Sequence, residues 1–160
     1  MIFVSVGSMM PFDRLVRAVD AWAAAHPAVD VLVQIGNGRV VPSHARHVRL
    51  MPPGEYRRLV REAALFVAHA GMGSIIAAIE AGRPLLMLPR RAALGEHNND
   101  HQLATMRNVA NRPGLHHVEH EDQLGAAIHR LLADGGGVPA PITPHASPEL
   151  IARIRDFVHR

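Results

Sequence analysis

The chain has 160 residues, 48% hydrophobic and 19% charged, enough for one domain with a buried core and too apolar for long-range disorder. It has no cysteine, which excludes disulfide scaffolds, thiolate metal sites and cysteine nucleophiles; its 17 Lys/Arg positions are all arginine, which excludes a phosphate-loop lysine and a Schiff base. A net charge of +3 with 4% aromatic residues lacks the dense basic stripe and stacking rings of a nucleic-acid binder, so nucleic acid is not an expected partner.

Short apolar runs alternate with helical stretches along the chain. Ile2–Val6 reads as a buried strand rather than a leader peptide, and Gly7-Ser8 closes it. A helix follows from Pro11-Phe12-Asp13 to about Ala25, with Leu15, Val16, Val19 and Trp22 at helical spacing. Val29–Ile35 is a second buried strand, stopped by Gly36-Asn37-Gly38. Val48–Met51 reads as a short third strand before Pro52-Pro53-Gly54, and Glu55–Glu62 as a helix. Leu65–Ala68 is a strand that runs into His69-Ala70-Gly71-Met72-Gly73-Ser74, and Ile75–Ala81 is the helix after it. Leu85–Leu88 is a strand, about Asn98–Val109 a helix, Leu115–Val118 a last strand and Asp122–Leu132 a helix. The uncharged run Ala63–Ile79 holds His69, Ser74 and two glycines and is too short for a membrane span.

Strands apolar throughout, separated by helices, predict a parallel sheet covered on both faces. The fold class is therefore α/β, a doubly wound, Rossmann-like domain over residues 1–134. Residues 135–147, rich in Gly and Pro, read as a linker, and residues 148–160 as a terminal amphipathic helix with Leu150, Ile151, Ile154, Phe157 and Val158 on one face. That face packs either on its own domain or on a partner.

Ligands of such sheets bind beyond the carboxyl ends of the strands, where the unusual segments fall. The turn Gly71-Met72-Gly73-Ser74 joins a buried strand to a helix. Its glycines admit a ligand to the backbone, and the helix start offers free N–H groups to a phosphate or diphosphate. Ser74 either caps that helix or binds a phosphate oxygen, and a plain tight turn is the competing reading. Gly7 and Ser8 can offer a second set of amides. The third glycine of a dinucleotide fingerprint and its acidic partner are missing, which disfavours NAD. The segment Arg90 to Gln102 concentrates Arg, Glu, Asn, Asp, His and Gln, the groups that hydrogen-bond sugar hydroxyls. His97 and His101, with Asp100 beside them, have helical metal-ligand spacing but no evident third strong ligand, so no metal is assigned.

Taken together, Phe3-Val4-Ser5-Val6-Gly7-Ser8 with Pro11-Phe12-Asp13-Arg14-Leu15, the His69–Ser74 turn, Gly82-Arg83-Pro84, and Pro89-Arg90-Arg91 through Gly95-Glu96-His97 and Asp100-His101-Gln102 resemble the C-terminal domain of glycosyltransferase family 28. The resemblance covers about residues 1–132. It is closest to the small donor-binding subunits of two-chain UDP-sugar transferases of exopolysaccharide or dolichol-linked glycan synthesis.

The resemblance implies the C-terminal half of a GT-B enzyme that binds a UDP-sugar, with no metal or other cofactor required. Gly7, Ser8, Gly71, Met72, Gly73 and Ser74 would embrace the diphosphate. The segment Leu50-Met51-Pro52 would lie against the uracil. Arg90, Arg91, Glu96, His97, Asp100, His101 and Gln102 would line the sugar, with Asp100 and Gln102 best placed for its hydroxyls. Family members carry a ribose-holding Glu where this chain has Ala77; Glu80, three residues on, is the available substitute. The implied partner is a membrane-anchored acceptor-binding subunit that supplies the general base and a lipid-linked sugar acceptor. The implied location is the cytoplasmic face of the membrane. A nucleotide-sugar-binding regulatory module and, less readily, a metal-dependent hydrolase are the other readings.

Overall fold

A computed structural model describes residues 1–143 and 145–159. Its six strands are β1 (Ile2–Ser5), β2 (Val31–Gln34), β3 (Arg46–Val48), β4 (Leu65–His69), β5 (Leu85–Leu88) and β6 (Leu115–His117). They form one parallel sheet in the order β3-β2-β1-β4-β5-β6. The six helices are α1 (Asp13–Ala25), α2 (Pro53–Glu62), α3 (Met72–Ala81), α4 (His101–Val109), α5 (Leu124–Asp134) and α6 (Pro148–Val158). Short 3-10 turns at Ala92–Leu94 and Glu121–Gln123 precede α4 and α5.

The sheet separates two cores because strand side chains alternate between its faces. Val4, Val33, Val67 and Leu86 point to the side covered by Leu15, Val16 and Val19 of α1 and Ile128 of α5. Phe3, Leu32, Phe66 and Met87 point to the other side, covered by Leu59 of α2, Ile75 and Ile79 of α3 and Met106 of α4. Phe66 stacks on Phe3 at 5.6 Å, and both rings meet the edge of Tyr56. This is the doubly wound, Rossmann-like architecture that the alternation of apolar runs predicts.

Most boundaries fall within two residues of the expectation, and three elements have one displaced by three. The third strand is Arg46–Val48, earlier than Val48–Met51, because it is an exposed edge strand whose charged start hides it from an apolarity reading. Helix α3 starts at Met72, three residues ahead of Ile75; its N-cap is Gly71, with no side-chain cap. Ser74 therefore sits inside the first turn and does not cap the helix. Helix α4 starts at His101 rather than Asn98, since Asn99 Oδ1 accepts the His101 N–H at 3.2 Å and Asp100 Oδ1 accepts the Ala92 N–H at 2.8 Å.

Residues 135–139 lie along the domain. His116 Nε2 meets the Gly136 carbonyl at 2.6 Å, Pro139 is buried, and the Gly114 backbone passes against Pro139 at φ +71°. Helix α6 has no buried residue; Phe157 is 80% exposed and Leu150 and Ile154 half-exposed, so its apolar face is not packed on its own domain.

Phe66→Ala should lower the unfolding free energy by about 3–5 kcal/mol, the usual cost of emptying an aromatic core position. Chemical denaturation measures it, and a loss under about 1 kcal/mol would show that the ring is not the centre of this core.

Candidate functional site

The strand order reverses between β1 and β4: from β1 the chain goes outward to β2, from β4 to β5. A crevice opens there beyond the carboxyl ends of the strands. A cavity of about 660 Å³ occupies it, lined by Ser5–Met10, Gln34, Met51, Pro53, Tyr56, His69, Gly73, Ser74, Arg90, His97, Asn98 and Gln102. No carboxylate is among these lining residues.

Two runs of backbone amides border the cavity. At the start of α3 the N–H groups of Ser74 and Ile75 go to the Gly71 carbonyl, which leaves those of Met72 and Gly73 without a protein acceptor among the described residues. No side chain competes for them, and the helix dipole adds positive potential at that end. Across the cavity Gly7, at φ +83°, turns the chain after β1, and its N–H is held by Ser5 Oγ at 3.1 Å. The amides of Ser8, Met9 and Met10 beyond it have no protein acceptor among the described residues.

His69 stands between the two runs. A Cβ on Gly7 would lie 2.8 Å from its Nε2, and a Cβ on Gly71 would collide with its Cε1, so glycine at both positions makes room for one imidazole. A hydrogen-bond chain fixes the ring. The Arg90 backbone N–H donates to Gln102 Oε1 at 3.0 Å, so the Gln102 amide nitrogen faces His69 Nδ1 at 3.2 Å. Nδ1 is then the acceptor, and the ring proton sits on Nε2, toward the Gly7 loop. Burial, followed by the charges of Arg90, His97 and His101, pushes the His69 pKa down to about 4. The imidazole is neutral at pH 7 and serves as a hydrogen-bond donor.

Arg90 lines the other side of the crevice with little of its own surface exposed. Its guanidinium donates to the carbonyls of Val6, Met10, Pro11 and Glu96 and stacks over Phe12 at 4.7 Å. Arg14 makes a paired bond to Glu96 at 2.8 Å on each oxygen and a further bond to the Pro89 carbonyl. These contacts tie the segment after β5 to the start of α1. At the floor, Ser5 Oγ donates to Gln34 Oε1 at 2.6 Å, and the Tyr56 phenol, its pKa raised by burial, lies beside them.

Of the residues singled out in the sequence, Gly7, Ser8, Met51, Gly73, Ser74, Arg90, His97 and Gln102 line the cavity, and Gly71 and Met72 head the helix beside it. The others stand elsewhere. Pro52 is the cap of α2, and its neighbour Pro53 lines the cavity instead. Glu80 is exposed in the last turn of α3, far from the end that meets the cavity. Arg91 reaches the Glu119 carbonyl and His120, and Glu96 is bound to Arg14 and the Arg91 amide. Asp100 is taken by the Ala92 amide, and His101 is exposed, with its ring edge-on to His97 at 4.5 Å. No group of three His, Asp or Glu side chains converges among the described residues.

Sequence reasoning missed Ser5, Gln34, Tyr56, His69 and Asn98 as lining residues. Ser5 and Gln34 had a signal: each is the one polar residue at the end of an apolar strand, and the register pairs them.

Lowering the pH should destabilise the fold through His69. Its folded pKa of about 4 lies below its unfolded value near 6.5, so this contribution is complete above pH 6.5 and is lost as the pH falls toward 4. Melting curves across that range should show the drop, and His69→Gln should flatten it; an unchanged slope would remove His69 as the cause. Gly71→Ala should destabilise strongly, and His69→Ala in the same chain should restore much of the loss, because the clash is with that ring. Strict additivity in a double-mutant cycle would contradict the shared space.

Comparison with known proteins gives the same fold. Os79 from O. sativa in complex with UDP superposes with a TM-score of 0.61 at 18% identity, covering 84% of this chain and 32% of that one. MurG from Acinetobacter baumannii gives 0.59 at 17% identity, covering 98% of this chain and 49% of that one. The solution structure of ALG13 gives 0.57 at 15% identity, covering 96% of this chain and 93% of that one. The glycosyltransferase of kitacinnamycin gives 0.60 at 20% identity, and this chain spans only 34% of its length. No curated protein sequence matches. Residues 1–137 match the family described as "Glycosyltransferase family 28 C-terminal domain", and with most of its length inside that match the chain belongs to this family.

Proposed function

We propose that the chain is the donor-binding half of an inverting, UDP-sugar-dependent glycosyltransferase. The observation that carries this reading is the convergence on one carboxylate-free cavity of two runs of unbonded backbone amides and the Nε2–H of a neutral histidine. That donor set suits a diphosphate and needs neither lysine nor metal. In the reaction an acceptor hydroxyl oxygen attacks the anomeric carbon. The bond from that carbon to the β-phosphate oxygen breaks with inversion, and UDP leaves with the electron pair. The amides of Met72 and Gly73, the amides of Ser8–Met10 and His69 would take up the charge that develops on the leaving oxygen. The attacking hydroxyl must lose its proton, and no carboxylate lines the cavity to receive it. The base therefore belongs to the acceptor-binding partner, proposed to be membrane-anchored and to hold a polyprenyl-diphosphate-linked sugar.

Gln34, Met51, Pro53 and Tyr56 lie at one end of the cavity and suit the nucleoside; His97, Asn98 and Gln102 lie toward the segment after β5 and suit the sugar. The Arg90 guanidinium is committed to backbone carbonyls, and that of Arg91 reaches Glu119 and His120 outside the cavity lining, so a glucuronate carboxylate would meet His97 rather than an arginine, while N-acetylglucosamine would need no cation there. Exopolysaccharide or lipid-linked glycan assembly is the setting proposed. The unpacked apolar face of α6 suits a groove on the partner, and ALG13 is an example of a chain of almost the same extent. A second reading, a nucleotide-sugar-binding module without transfer, draws on Ala77 and on the distance of Glu80 from the cavity, which leave the ribose without the expected carboxylate.

Calorimetry with UDP tests the first reading. Binding should be unchanged by EDTA, and His69→Ala should weaken it by roughly tenfold to a hundredfold, the worth of one hydrogen bond to a charged group. Sugar transfer should appear on co-expression with the partner. UDP binding without transfer by the pair would favour the binding module, and no UDP affinity even with the partner present would end the transferase reading.

A further inference from the structure

The two helical layers carry opposite charge. Helices α2 and α3 with Arg83, and α4 with its closing turn to Arg112, hold six arginines, Arg57, Arg58, Arg61, Arg83, Arg107 and Arg112, against Glu55, Glu62 and Glu80. Helix α1 and the stretch from Glu119 through α5 hold Arg14, Arg17 and Arg130 against six carboxylates. A modest net charge thus hides a separation across the sheet.

Among the described residues, most arginines of the basic layer stand without an acidic partner. Arg58 pairs with Glu62 at 2.7 Å, but Arg57, Arg61, Arg83, Arg107 and Arg112 are exposed and form no ion pair among the described residues. They are spread over three neighbouring helices whose opposite sides fill one core. Two large apolar side chains of α3, Met72 (54% exposed) and Ile76 (39% exposed), lie one turn apart among them.

We propose that this α2–α3–α4 layer docks directly on an anionic lipid bilayer. Cations distributed over a layer, with apolar side chains between them, match a surface of negative headgroups over hydrocarbon. Nucleic acid fits less well, because Tyr56, the one aromatic residue of these helices, is held against Phe3 and Phe66 and cannot stack on a base. An acidic protein surface would need no exposed Met72 or Ile76. With the layer on the membrane the sheet lies parallel to the bilayer. The cavity at the sheet's carboxyl edge then opens sideways along the surface, and the acidic layer faces solution. The contact holds whether or not the chain transfers sugar.

Co-sedimentation of the full chain with vesicles tests it. Vesicles of phosphatidylcholine with phosphatidylglycerol should retain the protein and pure phosphatidylcholine should not; retention should vanish near about 1 M salt, where the Debye length is about 3 Å. The triple variant Arg57→Gln, Arg61→Gln, Arg107→Gln should partition roughly a hundredfold less, at about fivefold per arginine, while melting like the parent. The pair Arg17→Gln, Arg130→Gln on the other layer should partition as the parent does. Equal binding to neutral vesicles, an equal loss in the control pair, or retention by polyglutamate or RNA with none by anionic vesicles would overturn the proposal.

Discussion

A buried guanidinium that meets no carboxylate must satisfy its donors on carbonyl oxygens, and the rest of the crevice depends on Arg90 doing so. Four carbonyls from three points of the chain, Val6, Met10–Pro11 and Glu96, converge on it. Each of those residues would otherwise be free to move with its loop. The same residue's backbone N–H orients Gln102, and Gln102 orients His69. One side chain therefore sets the shape of the loop after β1, and its own amide sets the tautomer of the histidine facing that loop. Burial lowers the Arg90 pKa, but an arginine stays charged across the physiological range. Its positive charge helps keep His69 neutral.

The crevice is built to be positive without containing a mobile cation. Its donors are backbone amides, which neither titrate nor change rotamer, and a neutral imidazole on a rigid strand end. Such groups are already oriented before a ligand arrives, so little reorganisation is needed when charge develops against them. Below, Ser5 and Gln34 satisfy one another, so the floor stays hydrogen-bonded while the walls stay open. A carboxylate in this space would compete with the ligand for the same donors, and none lines it.

Much of this was legible in the residues. Continuous apolar runs such as Val31-Leu32-Val33 and Leu85–Leu88 can only be central strands, and their alternation with helices dictated the doubly wound sheet. The glycines at 7 and 71 marked where the backbone had to come close. Roles were harder to read than places. Arg90, Glu96 and Asp100 look like ligand-binding residues in a string, yet each is satisfied inside the fold by a partner distant in sequence or by a turn amide. His69 was visible within the glycine turn, but only the packing of Gly7 and Gly71 against one ring reveals why both glycines are needed. The charged edge strand at Arg46 escaped because its stability comes from pairing with β2 rather than from burial.

The segment before α6 has a length in the sequence and a shorter one in space. Because Gly136 is held by His116 and Pro139 is buried, the tether starts at Ala140, not at Gly135. Eight residues separate Pro139 from Pro148, a contour of at most about 32 Å over the nine steps. Any surface that captures the helix must lie within that radius of the β6 edge. Once captured, it is held at a high local concentration relative to the domain. The anchored glycines and proline thus work as a leash of fixed length, limiting where a bound neighbour can stand.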